Sequence, residues 1–85
     1  MDEPKIEFPC AYPIKVILDN DPAAITRVEV IARRHDPKLQ GQIEIQPSKK
    51  GTYVSLRLSF WATGVPQLEA LFDELKQLSA VRMVL

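Results

Sequence analysis

Three stretches in which apolar and polar residues alternate, two in which apolar residues recur at helical spacing, and a short apolar stretch after them predict an α+β sandwich of pattern βαββαβ. The first alternation runs from Tyr12, with Ile14, Val16 and Leu18 to one side and Pro13, Lys15 and Ile17 to the other. It stops at Asp19-Asn20-Asp21. Asp21 before Pro22 starts a helix: the carboxylate accepts an orphan backbone N–H, and proline at the first helical position gives up a donor that has no partner there. Ala24, Ile25, Val28, Ile31, Ala32 and His35 then share one face, and the helix stops near His35 or Asp36, before Pro37.

Gln42 to Pro47 alternates with Ile43 and Ile45 inward, and Tyr53 to Ala62 with Val54, Leu56, Leu58, Phe60 and Ala62 inward. Ser48-Lys49-Lys50-Gly51-Thr52 joins them as a hairpin, Gly51 being the residue expected at positive φ. From Pro66 onward Leu68, Leu71, Phe72, Leu75 and Leu78 form a second helical stripe, opposed by Glu69, Asp73 and Lys76. Ser79-Ala80 ends it, and Val81 to Leu85 is a last short strand. Residues 1–11, with Pro4 and Pro9 and the isolated Ile6 and Phe8, read as an extended arm, leaving 12–85 as a single domain.

This order is the split βαβ pattern of ferredoxin-like folds: an antiparallel four-stranded sheet, fourth strand beside first, first beside third, third beside second. Each helix has one apolar stripe, so both cover one sheet face and leave the other open. Parity puts Lys15, Ile17, Gln42, Glu44, Gln46, Tyr53, Ser55, Arg57, Ser59, Trp61, Arg82 and Val84 on that open face. Its apolar members, Trp61, Tyr53, Ile17 and Val84, are a candidate partner surface. Of the two edge strands, charge and a proline defend the second, whereas the last is short, apolar and undefended. A partner chain or the Ile6/Phe8 arm is expected to cover it.

Composition bounds the function. With 85 residues the chain holds one modest core, and 11 basic against 11 acidic side chains argue against a bulk polyanion binder. One cysteine, Cys10, makes no internal disulfide, and the acidic start has no apolar run behind it, so a cytoplasmic protein without secretory signal or membrane span is expected. Along the chain the charge is uneven. Residues 1–21 carry five acids against two bases, 22–57 carry three against seven, and 58–85 carry three against two. The basic middle comprises Arg27, Arg33, Arg34, Lys38, Lys49, Lys50 and Arg57.

Several stretches have wording that neither helical packing nor strand alternation requires: Glu7-Phe8-Pro9, Arg34-His35 followed by Pro37, Pro47-Ser48-Lys49-Lys50-Gly51-Thr52-Tyr53 with Ser55, Ala62-Thr63, and Val81-Arg82-Met83-Val84-Leu85. Over nearly its whole length the chain resembles the YbeD-like family of small bacterial cytoplasmic proteins. The resemblance implies an ACT-like version of the ferredoxin fold, a cytoplasmic setting, and a regulatory or ligand-binding role by likeness to ACT domains. It carries over no catalytic residue. Genes of that family often neighbour lipoate-synthesis genes, which implies a link to lipoate metabolism.

Each candidate site has a simpler structural reading beside it. The hairpin with Lys49, Lys50 and Gly51, followed by Tyr53, gathers ammonium groups, hydroxyls and outward N–H groups as an anion cradle, or is a solvated turn. His35, next to Arg34, is a proton-handling group or a histidine capping its helix at the core edge. Arg57 and Trp61 belong to the open face, as a partner contact or as solvated surface. The loop Asp19-Asn20-Asp21 lacks the Cys-x-x-Cys of copper carriers, the arginine loop of acylphosphatases and the glycine of amino-acid-binding ACT domains, and two carboxylates are too few for a dedicated hard-cation site. Cys10 has no base and orienting group to make it a nucleophile.

With no metal or cofactor expected, the leading reading is a non-enzymatic regulatory or interaction module, a homo-oligomer with a dimer favoured, binding a protein or a small anionic metabolite. Nucleic-acid binding through the basic middle is the alternative, with Lys50-Gly51-Thr52-Tyr53-Val54 a weak echo of an RNA-recognition strand that lacks further stacking aromatics. An enzymatic reading would need one pocket holding both His35 and Asp21.

Overall fold

The computed structural model describes residues 7–37, 39 and 43–85. Strand β1 (Cys10–Asp19) is followed by helix α1 (Pro22–His35), strands β2 (Glu44–Pro47) and β3 (Tyr53–Ala62), helix α2 (Val65–Lys76) and strand β4 (Val81–Val84). The sheet order is β2-β3-β1-β4, antiparallel throughout, which is the ferredoxin-like order. Strand β1 begins two residues before the expected alternation; Ile6, Lys38 and Gln42 lie outside the described residues.

The core lies between the sheet and one helical layer. Ile14, Val16 and Leu18 of β1 and Val54, Leu56, Leu58, Phe60 and Ala62 of β3 are buried against Ala24, Val28, Ile31 and Ala32 of α1 and Leu68, Leu71 and Leu75 of α2. These are the inward positions that the periodicities assign. Asp21 caps α1 by accepting the Ala23 N–H at 3.1 Å, with Pro22 behind it. Phe8 of the arm packs, half-buried, against the same core.

Pro13 sits inside a central strand, where a missing N–H would ordinarily break the ladder. Lys15 exchanges both backbone hydrogen bonds with Leu85, so odd-numbered residues of β1 face β4. The missing N–H of Pro13 therefore lies on the β4 side of the strand, and the β1–β3 ladder is left intact.

Both outer strands stop part-way. β2 pairs with β3 from Val54 to Arg57, and β4 pairs with β1 from Val16 to Leu18. Beyond them, among the described residues, the sheet narrows to a ribbon of β1 and β3, in which Pro13 lies opposite Ser59 and Ala11 opposite Trp61. Ile45 faces the helical side opposite Leu56, yet it is 51% exposed, because this edge strand lies at the margin of the helical layer.

One expectation about the open face fails. Val84 pairs with Val16 and packs on the core, while Met83 pairs with Ile17 and is half exposed. The register then jumps, with Leu18 paired to Val81, so Arg82 is an extra residue in β4. Such a bulge inverts the parity of the residues beyond it. It also means that the last strand is less bare than its apolar sequence suggests: the bulge interrupts the edge, and Arg82 is clamped to Asp19 through Nε and Nη2, both at 3.0 Å.

Candidate ligand and partner surface

Strand register sets the side chains of the open face in rows. Tyr53 and Asp19 form the first row, with Arg82 beside them; Gln46, Ser55, Ile17 and Met83 form the second. Glu44, Arg57, Lys15 and Leu85 form the third, Ser59 and Pro13 the fourth, Trp61 and Ala11 the last. The first row is closed by ions: the Asp19 carboxylate beside Arg82 holds that guanidinium above its ordinary range. Long side chains of the third row then overlook the short ones of the fourth.

A hollow of about 520 Å³ opens at that step, lined by Pro13, Lys15, Glu44, Arg57, Ser59 and Leu85 together with Ile14 and Leu58. It forms where β2 and β4 both run out, Glu44 being the first residue of β2 and Leu85 the residue after β4. Trp61, 49% exposed, stands on the ribbon one row past its floor. A smaller hollow of about 220 Å³ lies between the start of α1 and the turn before β4, bounded by Asp21, Arg27, Leu78 and Ser79.

The Ser48–Thr52 turn has the expected build. Gly51 adopts φ +74°, its N–H bonds to the Ser48 carbonyl at 2.9 Å, and the Ser48 hydroxyl accepts the Tyr53 N–H at 3.1 Å. Asn20 ties the turn to the β1–α1 loop, donating from its side chain to the Gly51 carbonyl and from its backbone to Thr52. Lys49 and Lys50 are exposed and form no ion pair among the described residues.

At the far end of α1 the imidazole of His35 meets Glu74 of α2, Nε2 to Oε1, at 2.8 Å, and Arg34 reaches the other carboxylate oxygen at 2.9 Å. The hydrogen bond from His35, reinforced by the Arg34 charge, lowers the Glu74 pKa below its usual value, against a partial opposing effect of burial. His35 thus clasps the second helix rather than capping its own. The cap is the Asp36 N–H on the Ala32 carbonyl.

The candidate residues therefore occupy three places. Lys49, Lys50, Gly51 and Tyr53 lie at one end of the sheet, Arg34 and His35 on the helical layer near the other, and Arg57 and Trp61 on the open face. Tyr53 and Trp61 are eight residues apart along β3, about 26 Å, too far to share a small ligand. Asp21 and His35 sit at opposite ends of α1, about 21 Å apart, so the pocket that an enzymatic reading needs is not formed. Asp19 and Asp21 are engaged by Arg82 and the Ala23 N–H, and no metal-ligating cluster occurs among the described residues.

Two residues that sequence patterns do not single out hold this region in place. Asp36, buried in the connection after α1, accepts the Trp61 N–H at 2.9 Å on the side of β3 that β2 does not reach. Gln67, in the first turn of α2, accepts the Thr63 N–H and donates to the carbonyls of His35 and Trp61. A glutamine three places into a helix signals a reach back toward the cap. Its bond to His35, 32 residues away, has no local signature.

A four-stranded sheet of this order, with both helices on one side and the other side bare among the described residues, defines a ferredoxin-like α+β domain. Solved structures share it. The solution structure of protein HP0495 from H. pylori is 20% identical with a TM-score of 0.75, covering 98% of this chain and 88% of that one. The solution structure of the C-terminal domain of the MgtC protein from Mycobacterium tuberculosis is 22% identical with a TM-score of 0.66, covering 95% and 89%. At such identities the likeness concerns the fold alone.

Sequence relatives carry the assignment to a family. The family described as "Protein of unknown function (DUF493)" matches residues 3–85. UPF0250 proteins of Hahella chejuensis, 44% identical over 99% of this chain and 93% of the relative, and of Yersinia enterocolitica, 39% identical over 94% and 91%, align nearly end to end. The chain belongs to this DUF493/UPF0250 family of small bacterial proteins, and the YbeD-like resemblance of its motifs is borne out.

Proposed function

We propose that the protein is a non-enzymatic, ACT-like regulatory or interaction module of the cytoplasm that binds a protein partner or a small anionic metabolite on its open sheet face. The observation that carries this reading is the pairing of Lys15 with Arg57 on that face. The two stand directly opposite one another across β1 and β3, above a hollow, and neither forms an ion pair among the described residues. Like charges directly opposite in an antiparallel pair oppose folding. Keeping both fits a surface that meets an anion better than one that meets only water. The link to lipoate metabolism belongs to this proposal through the family resemblance.

A homodimer is the assembly that this reading favours. Leu85 spends both backbone groups on Lys15, so those of Val84 point away from the sheet, between the exposed side chains of Met83 and Leu85. That gives a second copy a short apolar edge. No helix among the described residues is long and apolar enough to cross a membrane.

Native mass spectrometry of the chain isolated gently from its own cells tests the proposal by reporting ligand, partner and stoichiometry together. Mass beyond that of one chain is expected. A bare monomer under conditions that keep known complexes intact contradicts it.

A further inference from the structure

We infer that the hollow between Lys15 and Arg57 is a binding slot for a small carboxylate with an apolar body; this rests on the open face being the working surface. Three observations converge on it. The first is spacing. Odd residues of β1 turn their backbone groups toward β4, so Lys15 and Arg57 form a non-hydrogen-bonded pair, the kind in which facing side chains come closest. An oxygen pair placed between them can accept from both cations at once.

The second is charge. Glu44 lies across β3 on the other side of Arg57, opposite it in the ladder, and forms no ion pair among the described residues. Counted over side chains, two cations and one carboxylate leave the slot a single net positive charge. That matches a monoanion and disfavours a phosphate monoester, whose second charge would face Glu44. The third is shape. Pro13 and Ser59 make a low floor beneath the Lys15–Arg57 row, and Pro13 and Leu85 present apolar surface beside the cations. The other cation of this face, Arg82, is committed to Asp19, so the slot is specific to the third and fourth rows.

The test is an amide NMR titration of the full chain with three probes: benzoate, benzyl alcohol as its neutral twin, and inorganic phosphate. Benzoate is expected to give saturable shifts at Ile14, Lys15, Arg57 and Ser59, with benzyl alcohol and phosphate weaker. Lys15→Gln and Arg57→Gln, whose spectra report retained folding, should each weaken benzoate about tenfold. Equal shifts from benzyl alcohol, a preference for phosphate, binding at Lys49–Gly51, or no saturable shift at all would each overturn the slot. The mass measurement separates the two claims: bound mass on a chain that ignores benzoate keeps the module and removes the slot. Benzoate in the slot of a chain that is bare in cells does the reverse.

Discussion

Asp36 shows how a single carboxylate substitutes for a missing strand. The described pairing of β2 with β3 reaches only to Glu44, and beyond it Asp36 accepts the Trp61 N–H and fixes the approach of the α1 exit to the ribbon. Asp36→Ala removes that acceptor at a buried position and is expected to cost about 1–3 kcal/mol in urea unfolding. Asp36→Asn keeps an acceptor oxygen and should cost less. Equal midpoints for wild type and the alanine variant would show that the Trp61 N–H finds another partner. Gln67 works nearby in the same way, bringing the ends of β3 and α1 onto the start of α2.

Among the elements, the hairpin and the helix pair carry separable predictions. Gly51 holds φ +74°, and a Cβ placed there meets nothing within 4 Å, so Gly51→Ala tests backbone conformation without a clash. A loss of about 1–2 kcal/mol in thermal unfolding is expected. No loss would mean that the turn adopts another form. The helix pair depends on pH through Glu74. Its folded pKa is depressed by His35 and Arg34, so its contribution is present above the unfolded value, near 4.5, and is lost as pH falls through the folded one. Wild type should therefore melt above Glu74→Gln at neutral pH, with the gap closing in acid. The effect is small, because Arg34 and Glu74 are both partly solvated. A gap that is unchanged down to pH 3 would remove the clasp from the account.

At the scale of the molecule, the features legible in the sequence are those that depend on local period. Alternation named the buried residues of β1 and β3, the helical stripes named those of α1 and α2, and Asp21, Pro22 and Gly51 marked their turns. Three features were not legible, each because it depends on residues brought together by folding. The bulge at Arg82 exchanges Met83 for Val84 on the open face, and a four-residue strand offers too little pattern to show it. Asp36 meets Trp61 25 residues away, and Gln67 meets His35 32 residues away. Lys15 could be assigned to the open face by parity, but only the register sets it against Arg57, the pairing on which the proposed slot rests. The hairpin lysines drew attention as a cluster along the chain; the slot cations come from two strands and form no such cluster.

Charge at this scale is local rather than global. A chain with 11 bases and 11 acids distributes the described cations of its middle over three surfaces: Arg27, Arg33 and Arg34 on α1, Lys49 and Lys50 on the hairpin, and Arg57 on the sheet. Among the described residues the open face has aromatic side chains only at the two ends of β3, with Ser55, Arg57 and Ser59 between them. Such an arrangement favours one small contact over a tract that tracks a polyanion.

The proposed recognition by the bare sheet face can be read residue by residue. The most direct measurement is an amide NMR spectrum of isotope-labelled chain in unlabelled extract of its own cells, compared with the purified chain. Shifted or attenuated signals from Lys15, Ile17, Ser55, Arg57, Ser59 and Trp61, with the outer faces of α1 and α2 unchanged, are the predicted result. Changes confined to the helices or the hairpin, with the sheet face untouched, would contradict it.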